Sequence, residues 1–158
     1  MRAILAALIC GAFALAMTIT TSPARASAGV SCLAEDATLG LSLGAAFGRA
    51  LGAGIASFGA TLAIRLPQAP PDLRALRFGQ GELAQSWWYD KSLNFALHRE
   101  REAGLNGSVD LVIETTRHAS EENRYDGHYR LLIAPAPDGA GPIGTSQEWR
   151  GPVTCSAD

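Results

Sequence analysis

Side chains of one kind recur at every second position in one short stretch after another along the C-terminal two thirds of this chain. Leu93, Phe95 and Leu97 alternate with Asn94, Ala96 and His98, and Val109, Leu111 and Ile113 alternate with Asp110, Val112 and Glu114. Tyr125, Gly127, Tyr129, Leu131 and Ile133 keep the same period, and Trp149, Gly151, Val153 and Cys155 repeat it near the end. A period of two sends alternate side chains to opposite faces of a strand, so each stretch predicts a half-buried β-strand. Leu83 to Asp90 adds a short aromatic strand. Asn106-Gly107 marks a tight hairpin, because both residues tolerate positive φ. Ala119 to Arg124 and Ala134 to Gly144 are loops rich in polar residues or in proline and glycine.

Residues 1–26 stand outside this pattern. Arg2 precedes an apolar run from Ala3 to Ala16, and Ala24-Arg25-Ala26 has the small-x-small form of a signal-peptidase site. The reading is a cleaved signal peptide and a mature chain that starts at Ser27, periplasmic or extracellular. The apolar run is shorter than the roughly 20 residues a spanning helix requires. Cleavage removes Cys10 and leaves Cys32 and Cys155, one near each end of the mature chain. In an oxidising compartment two cysteines allow one intramolecular bond. They are too far apart in sequence for a C-x-x-C redox pair. A structural Cys32–Cys155 disulfide is therefore expected, with the two chain ends as neighbours.

Residues 27–158 read as a single exported β domain with an unusual first third. Residues 38–66 are rich in glycine and alanine, with Arg49 and Arg65 as the sole charges. Pro67 to Asp72 then form a joint that neither a helix nor a central strand crosses. Gly40, Gly44, Gly48 and Gly52 recur every fourth residue, which on a helix would make a smooth packing stripe for a membrane span. Against this, Leu39, Leu41 and Leu43 alternate with Gly40, Ser42 and Gly44, and Leu62, Ile64 and Leu66 alternate with Thr61, Ala63 and Arg65. Arg49 would also sit in mid-span, where a charge is costly. The favoured reading is two strands near 38–44 and 59–66 with an irregular or partly helical connection. The fold expected is all-β: a small antiparallel meander of roughly six to eight strands, forming a barrel or a two-layer sandwich closed by one disulfide.

Chemistry is harder to find. With Arg2 and Arg25 removed, the 13 basic residues fall to 11 against 15 acidic, which argues against a nucleic-acid partner. His98, His118 and His128 lack the close spacing of metal ligands, and no metal site or cofactor is expected. No nucleophile elbow and no phosphate-binding glycine loop occur, so no catalytic residue is assigned. Asp110 and Glu114 lie on the strand between those bearing His98 and His128, which leaves a hydrolase with a His/carboxylate site as one alternative. A membrane-associated envelope protein using the Gly40–Gly52 stripe is the other. The preferred reading is a non-enzymatic binding or interaction module for an envelope ligand or protein. Its contact residues would be Trp87, Trp88, Tyr89, Asp90 and Lys91, with the 134–144 loop. Trp87 and Tyr89 should face one way and Trp88 the other.

Overall fold

The computed structural model describes residues 27–48, 54–67, 69–101, 107–134 and 146–158. They form nine strands: β1 (Ser27–Glu35), β2 (Leu39–Gly48), β3 (Ile55–Ile64), β4 (Ala75–Phe78), β5 (Leu83–Tyr89), β6 (Ser92–Glu100), β7 (Ser108–Arg117), β8 (Arg124–Ala134) and β9 (Gln147–Ala157). All belong to one antiparallel sheet in the order β4-β3-β2-β1-β9-β8-β7-β6-β5, which curls into a nearly closed barrel. It is a single continuous sheet, so of the two architectures expected the barrel is the one adopted. The chain is a meander in two parts, β1 to β4 and β5 to β9, joined where the first strand pairs with the last.

That junction is short. β1 and β9 are in register from Val30–Ala157 to Leu33–Thr154, and Cys32 faces Cys155 within it. Their sulfurs form the expected disulfide, with Cα atoms 4.0 Å apart and both residues buried. The first and last described strands are neighbours, as the cysteine positions imply. The described residues contain no helix long and apolar enough to cross a membrane, and a disulfide is compatible with an extracellular location.

The alternating residues form the core. Leu41 and Leu43, Leu62 and Ile64, Leu93, Phe95 and Leu97, Val109, Leu111 and Ile113, Tyr129, Leu131 and Ile133, and Val153 all point inward and make one cluster. Two inward positions are glycine because the interior has no room for a Cβ. At Gly127 an added Cβ would overlap the Glu114 carbonyl oxygen and lie 2.7 Å from Thr115 Cα. At Gly151 it would meet Asp36 Oδ2 and stand 2.5 Å from the Tyr129 hydroxyl.

That hydroxyl donates to Asp36 Oδ2 at 2.6 Å, while Asp36 Oδ1 accepts from the backbone N–H of Thr38 at 2.7 Å and Leu39 at 2.9 Å. Asp36 thus fixes the β1–β2 turn and closes one barrel end over Tyr129. Burial opposes ionisation of Asp36, but the Tyr129 and backbone hydrogen bonds outweigh it and hold the carboxyl below its usual range. Burial first, and then the Asp36 hydrogen bond, push the Tyr129 phenol up to about 12.

Three expectations need correction. The strands of the first third are longer than 38–44 and 59–66: β2 continues to Gly48 and β3 begins at Ile55. A glycine-rich segment can stay extended here because β1 supplies a paired neighbour as far as Ser27–Gly48. The helical alternative fails with it, since Gly40, Gly44 and Gly48 lie along β2; Gly52 lies outside the described residues. The strand count is also higher, nine among the described residues, because β1 and β4 carry no run of large alternating side chains. β4 has just Leu76 and Phe78 inward, too short a run to show a period. The Asn106-Gly107 turn is described only at Gly107, whose φ of 147° belongs to glycine.

Candidate functional site

The β5–β6 hairpin carries the five residues singled out as contacts, and it divides them. Trp88 turns inward at the barrel end opposite Asp36. Its ring meets Phe47 edge-on at 5.4 Å and Tyr125 edge-on at 6.3 Å, and its indole N–H donates to the Tyr125 hydroxyl at 2.9 Å. The same hydroxyl accepts from Arg117 Nε at 3.3 Å and Nη2 at 3.2 Å. Polar atoms on buried rings require partners of this kind. Trp88 is therefore part of the packing and not a surface ring. Trp87 and Tyr89 face outward, at 38% and 80% exposure. Asp90 and Lys91 form the exposed two-residue turn, with Asp90 at φ 52°, a left-handed conformation that aspartate tolerates. Arg117 secures the turn: its side chain donates to the Asp90 carbonyl at 3.2 Å and its backbone N–H to the Lys91 carbonyl at 2.7 Å.

The histidines and carboxylates meet as two pairs on the outer face. His98 is in register with Asp110 across β6 and β7, with Nδ1 2.7 Å from Oδ1. His128 is in register with Glu114 across β7 and β8, with Nε2 3.2 Å from Oε2. Asp110 and Glu114 are four residues apart along β7, which is roughly 13 Å of strand. All four side chains are between 42% and 51% exposed. The separation along β7 does not bring the four groups to a common substrate atom. His118 sits in the β7–β8 loop, 3.8 Å from Glu121 and 3.9 Å from Asp126. Among the described residues no three His, Cys, Asp or Glu side chains are grouped to hold a metal.

The Asp110 hydrogen bond raises the His98 pKa above 6.5, against a smaller opposing effect of burial. A raised pKa means the imidazolium is favoured in the folded state. The stabilisation is complete below the unfolded value near 6.5 and is lost as pH rises through the folded value. We expect the His98 ring resonances to titrate above 6.5 in the folded protein, and Asp110→Asn to bring the midpoint back down. An unchanged midpoint in that variant would show that the pair does not form in solution. Exposure of both side chains keeps the effect on stability small.

A concave feature lies elsewhere, over the β1–β9 junction. Its floor is the outer side of the two strands, where Ser31 opposes Ser156 and Leu33 opposes Thr154. The two serine hydroxyls are 2.8 Å apart. The β7–β8 loop forms one wall. Its backbone is held by bonds from Arg124 N–H to the Glu121 carbonyl at 3.1 Å and from Ala157 N–H to the Asn123 carbonyl at 2.9 Å. Glu121 and Glu122 stand on that wall, and the cleft measures about 600 Å³. Leu33 is 61% exposed on the floor, the one large aliphatic side chain so placed among the described residues.

This cleft was missed in the sequence. Its signal was Leu33 itself: once Val30, Cys32 and Ala34 are inward, a leucine between them must face solvent. A shallower depression of about 330 Å³ crosses β2, β3 and β4, floored by Gly44, Gly59 and Thr61. It is where the smooth glycine surface lies. Comparison of the chain with protein-family models, with curated proteins and with solved structures finds no match.

Proposed function

We propose that this protein is an exported, non-enzymatic binding domain whose ligand seats in the cleft over the β1–β9 junction. The observation that carries the reading is the cleft: an open groove of about 600 Å³, floored by the strand pair that the disulfide staples. A rigid floor holds ligand contacts without an ordering cost on binding. Leu33 offers an apolar contact, the hydroxyls of Ser31, Thr154 and Ser156 offer hydrogen bonds, and Glu122 favours a positively charged group, Glu121 being paired with Arg124 at 3.1 Å on the same wall. The ligand class is a small amphipathic molecule or a protruding side chain with an apolar part and a cationic or hydroxyl end.

The apolar leader and the paired cysteines support export to the periplasm or beyond, with cleavage near Ala26. The polarity of the barrel supports an aqueous setting: the inward side chains of β6 to β9 are mostly apolar, while Asp110, Glu114, His128 and Arg150 face outward. A transmembrane barrel has the reverse arrangement. The test is a fragment screen followed by amide chemical shifts. Saturable shifts are expected at Leu33, Thr154 and Ser156. Leu33→Asp should abolish them without lowering thermal stability, because the side chain is exposed. Shifts scattered over the surface, or none that saturate, would refute the reading.

A further inference from the structure

Among the described residues the barrel is not closed by a backbone ladder. β4 pairs with the far half of β3, from Ala60 to Ala63, and β5 pairs with β6. Between β5 and the near half of β3, Ile55–Gly59, the described residues place no strand. The two backbones also stay further apart than paired neighbours do.

The register shows which groups this leaves free. Asp90 and Lys91 make a two-residue turn, so Tyr89 and Ser92 are the hydrogen-bonded pair, with Trp87–Asn94 next. The N–H and C=O groups of Ser86 and Trp88 therefore point away from β6, into the gap. On the other rim, Arg65 N–H donates to the Thr38 carbonyl at 2.8 Å, which assigns the odd-numbered residues Thr61 and Gly59 to β2. Ile64 N–H donates the other way, to the Arg74 carbonyl at 2.8 Å. Phe58 belongs to that second set, so its backbone groups also face the gap.

Beneath these rims lie the rings of Phe47, Phe58 and Trp88, partly buried over Phe95. Where the gap narrows, side chains bridge it: Gln80 Nε2 donates to the Ile55 carbonyl at 3.3 Å. Arg99 Nη1 donates to the Arg77 carbonyl at 3.2 Å and to Glu82 at 3.0 Å.

We propose that an extended segment of a partner polypeptide, apolar at alternate positions, adds as a strand along β5 in this gap. The hydrogen-bonding complement of two facing rims of backbone N–H and C=O is another strand, which carries both groups at the same repeat. Its inward side chains meet Phe58 and Trp88, and its outward ones lie beside Trp87 and Tyr89. That gives the exposed rings of the hairpin a role. Among the described strands β1, β2 and β6 to β9 are each paired on both edges, so a second copy could offer only its own rim strands, and the concentration dependence below tests that occupant. The gap is remote from the cleft: β1 and β9 are central in the strand order, and β5 is at its end. The two sites therefore stand or fall separately.

The probe is a capped heptapeptide of alternating valine and threonine, used at millimolar concentration with hydrogen exchange followed residue by residue. Bound peptide should slow the amides of Ser86, Trp88 and Phe58 by about tenfold or more, since each gains a partner. The same peptide N-methylated on its pairing edge should have no effect. Ser86→Pro should also abolish the protection. Proline removes the N–H that faces the gap and spares the β6 ladder, to which Ser86 does not donate. The N-methylated peptide keeps the test valid if that variant unfolds. Unchanged exchange with the unmodified peptide would overturn the proposal. So would protection of these amides in the free protein that grows with protein concentration, which would make the occupant a second copy.

Discussion

Replacing Cys32 and Cys155 together by alanine is expected to cost about 4 kcal/mol. The bond closes a loop with a sequence separation of 123 residues, so loop-closure entropy in the unfolded chain is near its upper range. Topology makes the loss more serious than that figure suggests. The two halves of the meander touch through a β1–β9 ladder of four register pairs, whereas β1–β2 has nine. Along the other seam the halves meet through side chains rather than a ladder. Small domains have total stabilities of about 5–15 kcal/mol, so the variant should unfold at much lower urea. The slope of the transition should steepen, because the unlinked chain exposes more surface when unfolded. Urea titration of the native protein, the reduced protein and the double variant measures this. A loss under about 1 kcal/mol would mean that burial around the β1–β9 junction closes the barrel without the bond.

The same junction separates what the sequence makes legible from what it hides. Alternation exposed β2, β3 and β5 to β9 because their inward residues are large: Leu93, Phe95 and Leu97 announce a face. In β1 the inward residues are Val30, Cys32 and Ala34, and the largest aliphatic side chain of the strand, Leu33, is outside. The apparent period is thus inverted, which concealed both the strand and the cleft floor. The two cysteines showed that the segments carrying them meet, but register depends on partners and not on spacing. The pairing that puts Ser31 opposite Ser156 and Leu33 opposite Thr154 is therefore invisible before folding. The aromatic triplet was half legible. Alternation correctly separates Trp88 from Trp87 and Tyr89, but does not say which set faces in. Phe47 and Tyr125, far away in sequence, decide that by enclosing Trp88 and accepting its N–H. The His/carboxylate face was read correctly as a shared outer surface, and register resolved it into two pairs.

Gly127→Ala is expected to destabilise the fold by about 3 kcal/mol or more, although it adds one methyl group. Gly127 is opposite Thr115 in the ladder between β7 and β8. The new Cβ would overlap the Glu114 carbonyl oxygen and press on Thr115 Cα. Both obstacles are backbone, and both are fixed by pairing on either side, so no rotamer change relieves them. The strands would have to part, losing ladder bonds and opening the core beside Tyr125 and Tyr129. Gly151→Ala should cost less, about 1–2 kcal/mol, because its obstacles are the Tyr129 ring and the Asp36 carboxylate. Those side chains can move if they give up their mutual hydrogen bond. Gly44→Ala should be close to neutral, since nothing lies within 4 Å of its added Cβ. Urea midpoints of the three variants should therefore rank Gly44 above Gly151 above Gly127. The β7–β8 ladder also carries the loop from His118 to Asn123 that walls the cleft. If the binding proposal holds, Gly127→Ala should weaken cleft ligands even under conditions where it remains folded. Equal losses at Gly127 and Gly44 would instead point to a general cost of side chains in glycine-bearing strands, and the tight β7–β8 approach would not be what constrains this barrel.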